Sequence, residues 1–170
     1  MKKILLLVPF AAVSLAAQDN PISAAVKANY TTIKTNLVKS AEKMPEELYS
    51  FKATEEVRSF GQLVGHVANA AYSYCAAAAG EKSPSSINIE KEKTSKAELS
   101  QALKDAFAYC DKVYDGMTDG KGAELVKRGR SDVARIGILV GNNTHLNEHY
   151  GNIVTYMRLK KLVPPSSEPR

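Results

Sequence analysis

The chain has 170 residues, with 23 Lys and Arg against 18 Asp and Glu, three His, two Cys and no Trp. That length suits a single domain able to bury a real core. The formal charge of +5 falls to +3 without Lys2 and Lys3, too mild a balance for a nucleic-acid-binding surface. The largest basic cluster, Lys127-Arg128-Gly129-Arg130, is short and loop-like. It reads as a solvated turn, with a phosphate contact as the lesser alternative.

Residues 1–17 read as a signal peptide. Lys2 and Lys3 form a basic start, residues 4–15 an apolar run, and Ser14-Leu15-Ala16 a small-residue cleavage site. A membrane-spanning helix needs about 20 apolar residues. This run is shorter, holds Pro9 and stops at Gln18-Asp19-Asn20. The expectation is export to a periplasmic or extracellular location, with no membrane anchor after cleavage and a mature domain over residues 18–170. No cysteine follows the apolar run, which argues against a lipid-modified N-terminus. Outside the cytoplasm, Cys75 and Cys110 are candidates for a disulfide.

The first helix is predicted over residues 22–43, because Ile22, Ala25, Val26, Tyr30, Ile33, Leu37, Val38 and Ala41 recur along one helical stripe. Met44-Pro45 ends it. A connector over 46–53 carries Leu48, Tyr49 and Phe51, which suit a cap over the end of a bundle. Thr54 is the expected N-cap of the second helix, with Glu55 and Glu56 in its first turn. That helix continues to Ala79, and Gly80 supplies its stop. Residues 80–94 are polar, contain Pro84, and are longer than two adjacent antiparallel helices need, which implies a crossover. Ser95 and Glu98 form a capping-box pattern before the third helix, whose stripe runs from Leu99 through Cys110 to Met117. Residues 116–129 are Gly-rich and break the pattern. The last helix is expected to start behind Ser131 or Asp132 and to run to Lys160 or Lys161, with Pro164-Pro165 beyond it. No stretch shows strand-type alternation. The predicted fold class is all-α, a four-helix bundle with a long crossover between helices two and three.

If the crossover makes helices two and three parallel, Cys75 stands about 20 residues into its helix and Cys110 about 15. The height mismatch is then about 7 Å at 1.5 Å per residue. Antiparallel packing separates the two by about 15 Å. Parallel neighbours thus tolerate a disulfide and diagonal helices do not, since bridged Cα atoms approach within about 7 Å. A bond and two small buried thiols both remain open readings.

All three histidines, His66, His145 and His149, fall inside predicted helices. Four residues apart, His145 and His149 share one face and can converge on one ion. His66 stands near the middle of helix two, at the height of the pair. Three imidazoles suit zinc, nickel or iron, and leave a coordination position open for water or substrate. Against this stands the ordinary reading of helical histidines as hydrogen-bonded core residues. Asn142 and Tyr156 lie on the same face as the pair, where they are expected to orient ligands or bind water. His145-Leu146-Asn147-Glu148-His149 also spells the H-x-x-E-H signature of inverted zinc peptidases. Only 21 residues follow His149, too few for a distant further ligand, so that reading is rejected. Glu148 is kept as a candidate partner of the ligands or catalytic base, with an exposed helical carboxylate as the alternative.

Phe51-Lys52-Ala53-Thr54 leading to Arg58-Ser59-Phe60-Gly61-Gln62-Leu63-Val64-Gly65-His66, then His145-Leu146-Asn147-Glu148-His149-Tyr150-Gly151, Tyr156-Met157-Arg158-Leu159 and Val163-Pro164-Pro165, resemble the DinB family of metal-binding bundles. The resemblance covers essentially the whole mature chain. Lys161 stands where relatives often carry glycine. The resemblance implies an up-down-down-up bundle with helices two and four adjacent, and a divalent ion, zinc or nickel, on His66, His145 and His149. By that topology helices two and three are diagonal, which argues against the disulfide. It also implies an unknown small-molecule substrate, thiol-bearing in some relatives that are transferases or isomerases, and is compatible with a homodimer. The function expected is a metal-dependent transferase or hydrolase; the alternative is a non-catalytic metal-binding or interaction module.

Overall fold

The computed structural model describes residues 20–169, so the expected leader lies outside the described residues. Helix α1 spans Pro21–Lys43, with Pro21 in the first turn, where its missing N–H costs nothing. Tyr30, Ile33, Leu37 and Ala41 form its buried stripe. Beyond Met44, a single 3-10 turn over Glu46–Leu48 swings Tyr49 inward, and the Tyr49 hydroxyl donates to the Ala41 carbonyl at 2.7 Å. The connector does cap the bundle's end, as expected.

Helix α2 spans Phe60–Ala79 and so starts five residues later than the Thr54 cap predicts. Ser59 and Gln62 explain the shift. The Ser59 hydroxyl accepts from the Gln62 N–H while the Gln62 side chain accepts from the Ser59 N–H, a complete capping box that Thr54 lacks. At the other end Gly80 takes the left-handed conformation, φ 77°, and its N–H meets the carbonyls of Ala76 and Ala77.

The crossover holds one short helix, α3 (Ile89–Glu92), pinned to α2. The Asn69 amide donates to Asn88 Oδ1 at 2.9 Å and accepts from the Ile89 N–H at 3.0 Å, and Ile89 is buried. A Cβ on Gly65 would stand 2.7 Å from the Glu90 Cα, so only glycine lets the crossover backbone lie this close to α2.

Helix α4 spans Lys96–Asp115, started by Ser95, whose hydroxyl accepts from the Glu98 N–H. A short helix α5 (Asp119–Ala123) follows. Then comes an element that the sequence pattern does not announce, an antiparallel hairpin of β1 (Leu125–Arg128) and β2 (Ser131–Ala134), turned at Gly129 with φ 62°. Four-residue strands with mostly exposed side chains leave almost no alternation to detect. Ser131 and Asp132, expected as helix caps, belong to β2, and helix α6 (Arg135–Leu159) begins after it. The basic cluster is the hairpin tip: Lys127 pairs with Asp132, and the Arg128 guanidinium lies 4.4 Å over the Tyr74 ring.

α2 packs against α4 and α6, and α1 packs against the same two helices, so α1 and α2 lie across one diagonal of the bundle. Gly61 faces Leu99 near the starts of α2 and α4, and Cys75 meets Cys110 further along, so these two helices run parallel. α6 opposes α2: Arg135 at its start donates to the Ala78 carbonyl, and Tyr156 near its end reaches Arg58. The up-down-down-up order holds, with α2 beside α6.

Cys75 and Cys110 are bonded, with Cα atoms 5.4 Å apart. This corrects the expectation that helices two and three sit diagonally. The height mismatch disappears as well. Measured from the true starts, Cys75 lies 15 residues past Phe60 and Cys110 14 past Lys96. Around the bond, the core joins Phe60, Leu99, Leu103, Phe107, Ile138, Leu146, Ile153 and Met157. Tyr30 stacks on Tyr114 with ring centroids 3.9 Å apart. No helix among the described residues is long and apolar enough to cross a membrane.

Candidate metal centre

His66 sits in the second turn of α2, on the side facing α6, because the capping box at Ser59 sets the phase of the helix. His145 and His149 stand one turn apart in the middle of α6. Their ring nitrogens meet. His66 Nε2 lies 3.2 Å from His145 Nε2, His149 Nε2 lies 3.1 Å from His145 Nε2, and one ring nitrogen of each lies within 4.8 Å of the others. The three predicted ligands therefore form one cluster.

The donor set fits a divalent ion. Metal–nitrogen bonds of 2.0–2.1 Å at tetrahedral angles require nitrogens about 3.3 Å apart, close to the two spacings here. The tautomer of His66 agrees. His66 Nδ1 lies 3.1 Å from Glu90 Oε2, so Nδ1 carries the proton and Nε2 turns a lone pair toward the other rings. Burial pushes both α6 histidines toward the neutral form that a metal needs. His149, 6% exposed, is held down at about 4 by desolvation and then by the neighbouring His145 and His66. His145 is lowered by desolvation and by His66. Among the described residues His145 Nδ1 is buried with no hydrogen-bond partner.

Glu90 was not among the expected site residues. Its carboxylate spans two partners, with Oε2 on His66 and Oε1 accepting from Arg58 Nε at 2.8 Å. This side chain comes from α3, 24 residues beyond His66, so no local spacing announces it. Asn152 is the second omission. Its amide lies 3.4 Å from His149 Nδ1, and its place three residues after His149 is a helical neighbour's place that the spacing does announce.

The residues expected to orient the ligands do otherwise. The Asn142 amide donates to the Tyr114 hydroxyl and toward Cys75 Sγ, inside the core. The Tyr156 hydroxyl donates to the Arg58 carbonyl at 2.6 Å, fixing the loop ahead of α2. Both turn away because their positions on α6 face α4 and the 52–59 loop rather than the ring nitrogens. Glu148 is exposed, and its charge opposes the lowering of both α6 histidines. A cavity of about 520 Å³ opens beside His149, walled by Arg58, Leu63, Glu90, Asn152 and Tyr156.

The model of the DinB superfamily matches residues 30–153, which take in all three histidines. The chain belongs to the DinB superfamily. Two solved structures share the fold. A DinB-like protein from Bacillus cereus ATCC 10987 superposes with a TM-score of 0.71 at 16% identity, over 84% of this chain and 95% of that one. A DinB-like protein (YjoA) from Bacillus subtilis gives 0.69 at 17% identity, over 86% and 99%. No curated protein matches the sequence.

Proposed function

We propose that this DinB-superfamily protein is an exported metal-dependent enzyme of the transferase or hydrolase type, holding one zinc or nickel ion on His66, His145 and His149. The observation that carries the reading is the convergence of three Nε2 atoms at 3.1 and 3.2 Å, with His66 oriented by Glu90. Lone pairs this close repel unless a proton or cation lies between them, and burial keeps the two α6 rings from taking up a second, charging proton. When bound, the ion supplies Lewis acidity at an open position, lowering the pKa of a water or thiol there. The chain's own residues do the rest. Glu90 fixes the His66 tautomer, and Arg58 balances the carboxylate's charge. Leu63 and Tyr156 line the cavity beside His149, where a substrate would shed water. Glu90 is fully engaged, so Glu148 is the carboxylate proposed to accept a proton. The Cys75–Cys110 bond supports the exported reading, since disulfides persist in oxidising compartments.

Metal analysis of protein purified without chelator tests the first half. About one equivalent of zinc or nickel is expected, falling to none when the three histidines are replaced by alanine. Turnover in a hydrolase and thiol-transfer screen that disappears in each single alanine variant tests the second. Full activity in the triple variant refutes the enzyme reading. The ligands also bridge α2 to α6, which favours a second reading, a structural ion in a non-catalytic module. A large fall in melting temperature on chelation, with no activity found, selects it.

A further inference from the structure

We propose that the cavity beside the histidine cluster admits a small ligand whose metal-binding head is joined to an anionic tail, and that Arg58 reads the tail. The proposal rests on the metal reading and names the class of ligand the same site takes. His149 belongs both to the cluster and to the cavity wall, so a ligand bound at the open position has the roughly 520 Å³ cavity as its next space. Arg58 lines the same cavity and is held at two points. Its carbonyl accepts from the Tyr156 hydroxyl at 2.6 Å, and its Nε donates to Glu90 at 2.8 Å. Its two terminal amino groups have no protein acceptor among the described residues. An anchored guanidinium with its fork unused is a ready bidentate donor for a carboxylate or phosphate.

The charge balance points the same way. Three neutral imidazoles give a divalent ion no compensation, and Glu90, the carboxylate that touches His66, is already matched by Arg58. Glu56 also lines the cavity but is engaged by its own backbone N–H and by Thr54, and Glu148 is exposed and not part of the cavity wall. The walls of this cavity also include Leu63 and Tyr156, which suit a short apolar spacer.

Protein loaded with Co(II) tests this, since its visible bands report ligands entering the open position without requiring turnover. Three hydroxamates share one metal-binding head: succinic monohydroxamate with a carboxylate tail, acetohydroxamate with none, and β-alanine hydroxamate with an ammonium tail. The carboxylate probe is expected to bind about 10- to 100-fold more tightly than acetohydroxamate, as for a charge-assisted pair, and the ammonium probe more weakly than either. In Arg58→Gln the ratio between carboxylate and neutral probes is expected to collapse to within about twofold, whatever the variant does to metal affinity itself. Equal affinities for the three probes in the native protein overturn the inference while leaving the metal site standing, and so does an unchanged ratio in Arg58→Gln. A protein that takes up no Co(II) overturns both. The native series decides the charge preference by itself, so a poorly folded variant does not shield it.

Discussion

Gly65→Ala is the most informative single substitution, because it adds one methyl at the place where the crossover meets the helix that carries His66. The new Cβ would stand 2.7 Å from the Glu90 Cα, 3.0 Å from the Glu90 nitrogen and 3.2 Å from Leu99 Cδ2. Leu99 can adjust by rotating. The Glu90 backbone cannot, because Asn69 pins Asn88 and Ile89 just before it. Ordinary carbon contacts lie at about 3.5–4.0 Å, so the crossover must retreat by roughly 1 Å. Alanine gains about 1 kcal/mol over glycine inside a helix, and forced overpacking costs about 1–3 kcal/mol. The net expectation is a loss of up to about 2 kcal/mol in urea unfolding of the chelated protein. The retreat also draws Glu90 away from His66, and loss of such a partner weakens metal affinity by about 10- to 100-fold, measured by competition with a chelator. Gly151→Ala is the matched control. Gly151 lies on α6 with nothing within 4 Å of its added Cβ, so the same change should stabilise by about 1 kcal/mol and leave metal affinity alone. If Gly65→Ala behaves like Gly151→Ala in both assays, the crossover does not hold Glu90 against His66 in the way argued here.

Glu90→Gln should lower zinc affinity by about 10- to 100-fold while the helical circular dichroism stays unchanged, whereas Glu148→Gln should leave the affinity within about twofold; equal effects would return the orienting role to Glu148. Replacing both Cys75 and Cys110 by alanine opens a loop whose closure over 35 residues is worth about 4 kcal/mol, read as a lower urea midpoint that reductant no longer changes. A midpoint equal to that of the native protein would show that the bond adds no stability. Lys161 holds φ at 58°, a conformation costing a side-chain-bearing residue about 1–2 kcal/mol, so Lys161→Gly should raise the melting temperature despite glycine's freer unfolded state. An unchanged or lower value would refute that account.

What was legible in the sequence follows from how far apart the causes lie. α1 was placed to within a residue because its stripe and its stop at Met44-Pro45 are local. His145 and His149 were legible as a pair from one helical turn, whereas the left-handed conformation of Lys161 was not announced by the residues around it. The start of α2 was misjudged because two cap patterns compete within six residues, and only the reciprocal bonds of Ser59 and Gln62 decide between them. Counting from Thr54 also displaces Cys75 along its helix, so that a bond in register looks strained. Glu90 was out of reach for a different reason. Its partner His66 is distant in sequence, and what joins them is the absence of a side chain at Gly65 together with the Asn69 clamp, neither of which carries metal chemistry of its own. The crossover is thus both the connection that makes α2 and α4 parallel and the element that brings a carboxylate to the α2 histidine. A shorter connection would supply neither the parallel pair that the disulfide bridges nor the carboxylate that orients His66. The length of residues 80–94, legible from the start as a crossover, therefore accounts for the topology and for the contact to the histidine cluster that no motif displays.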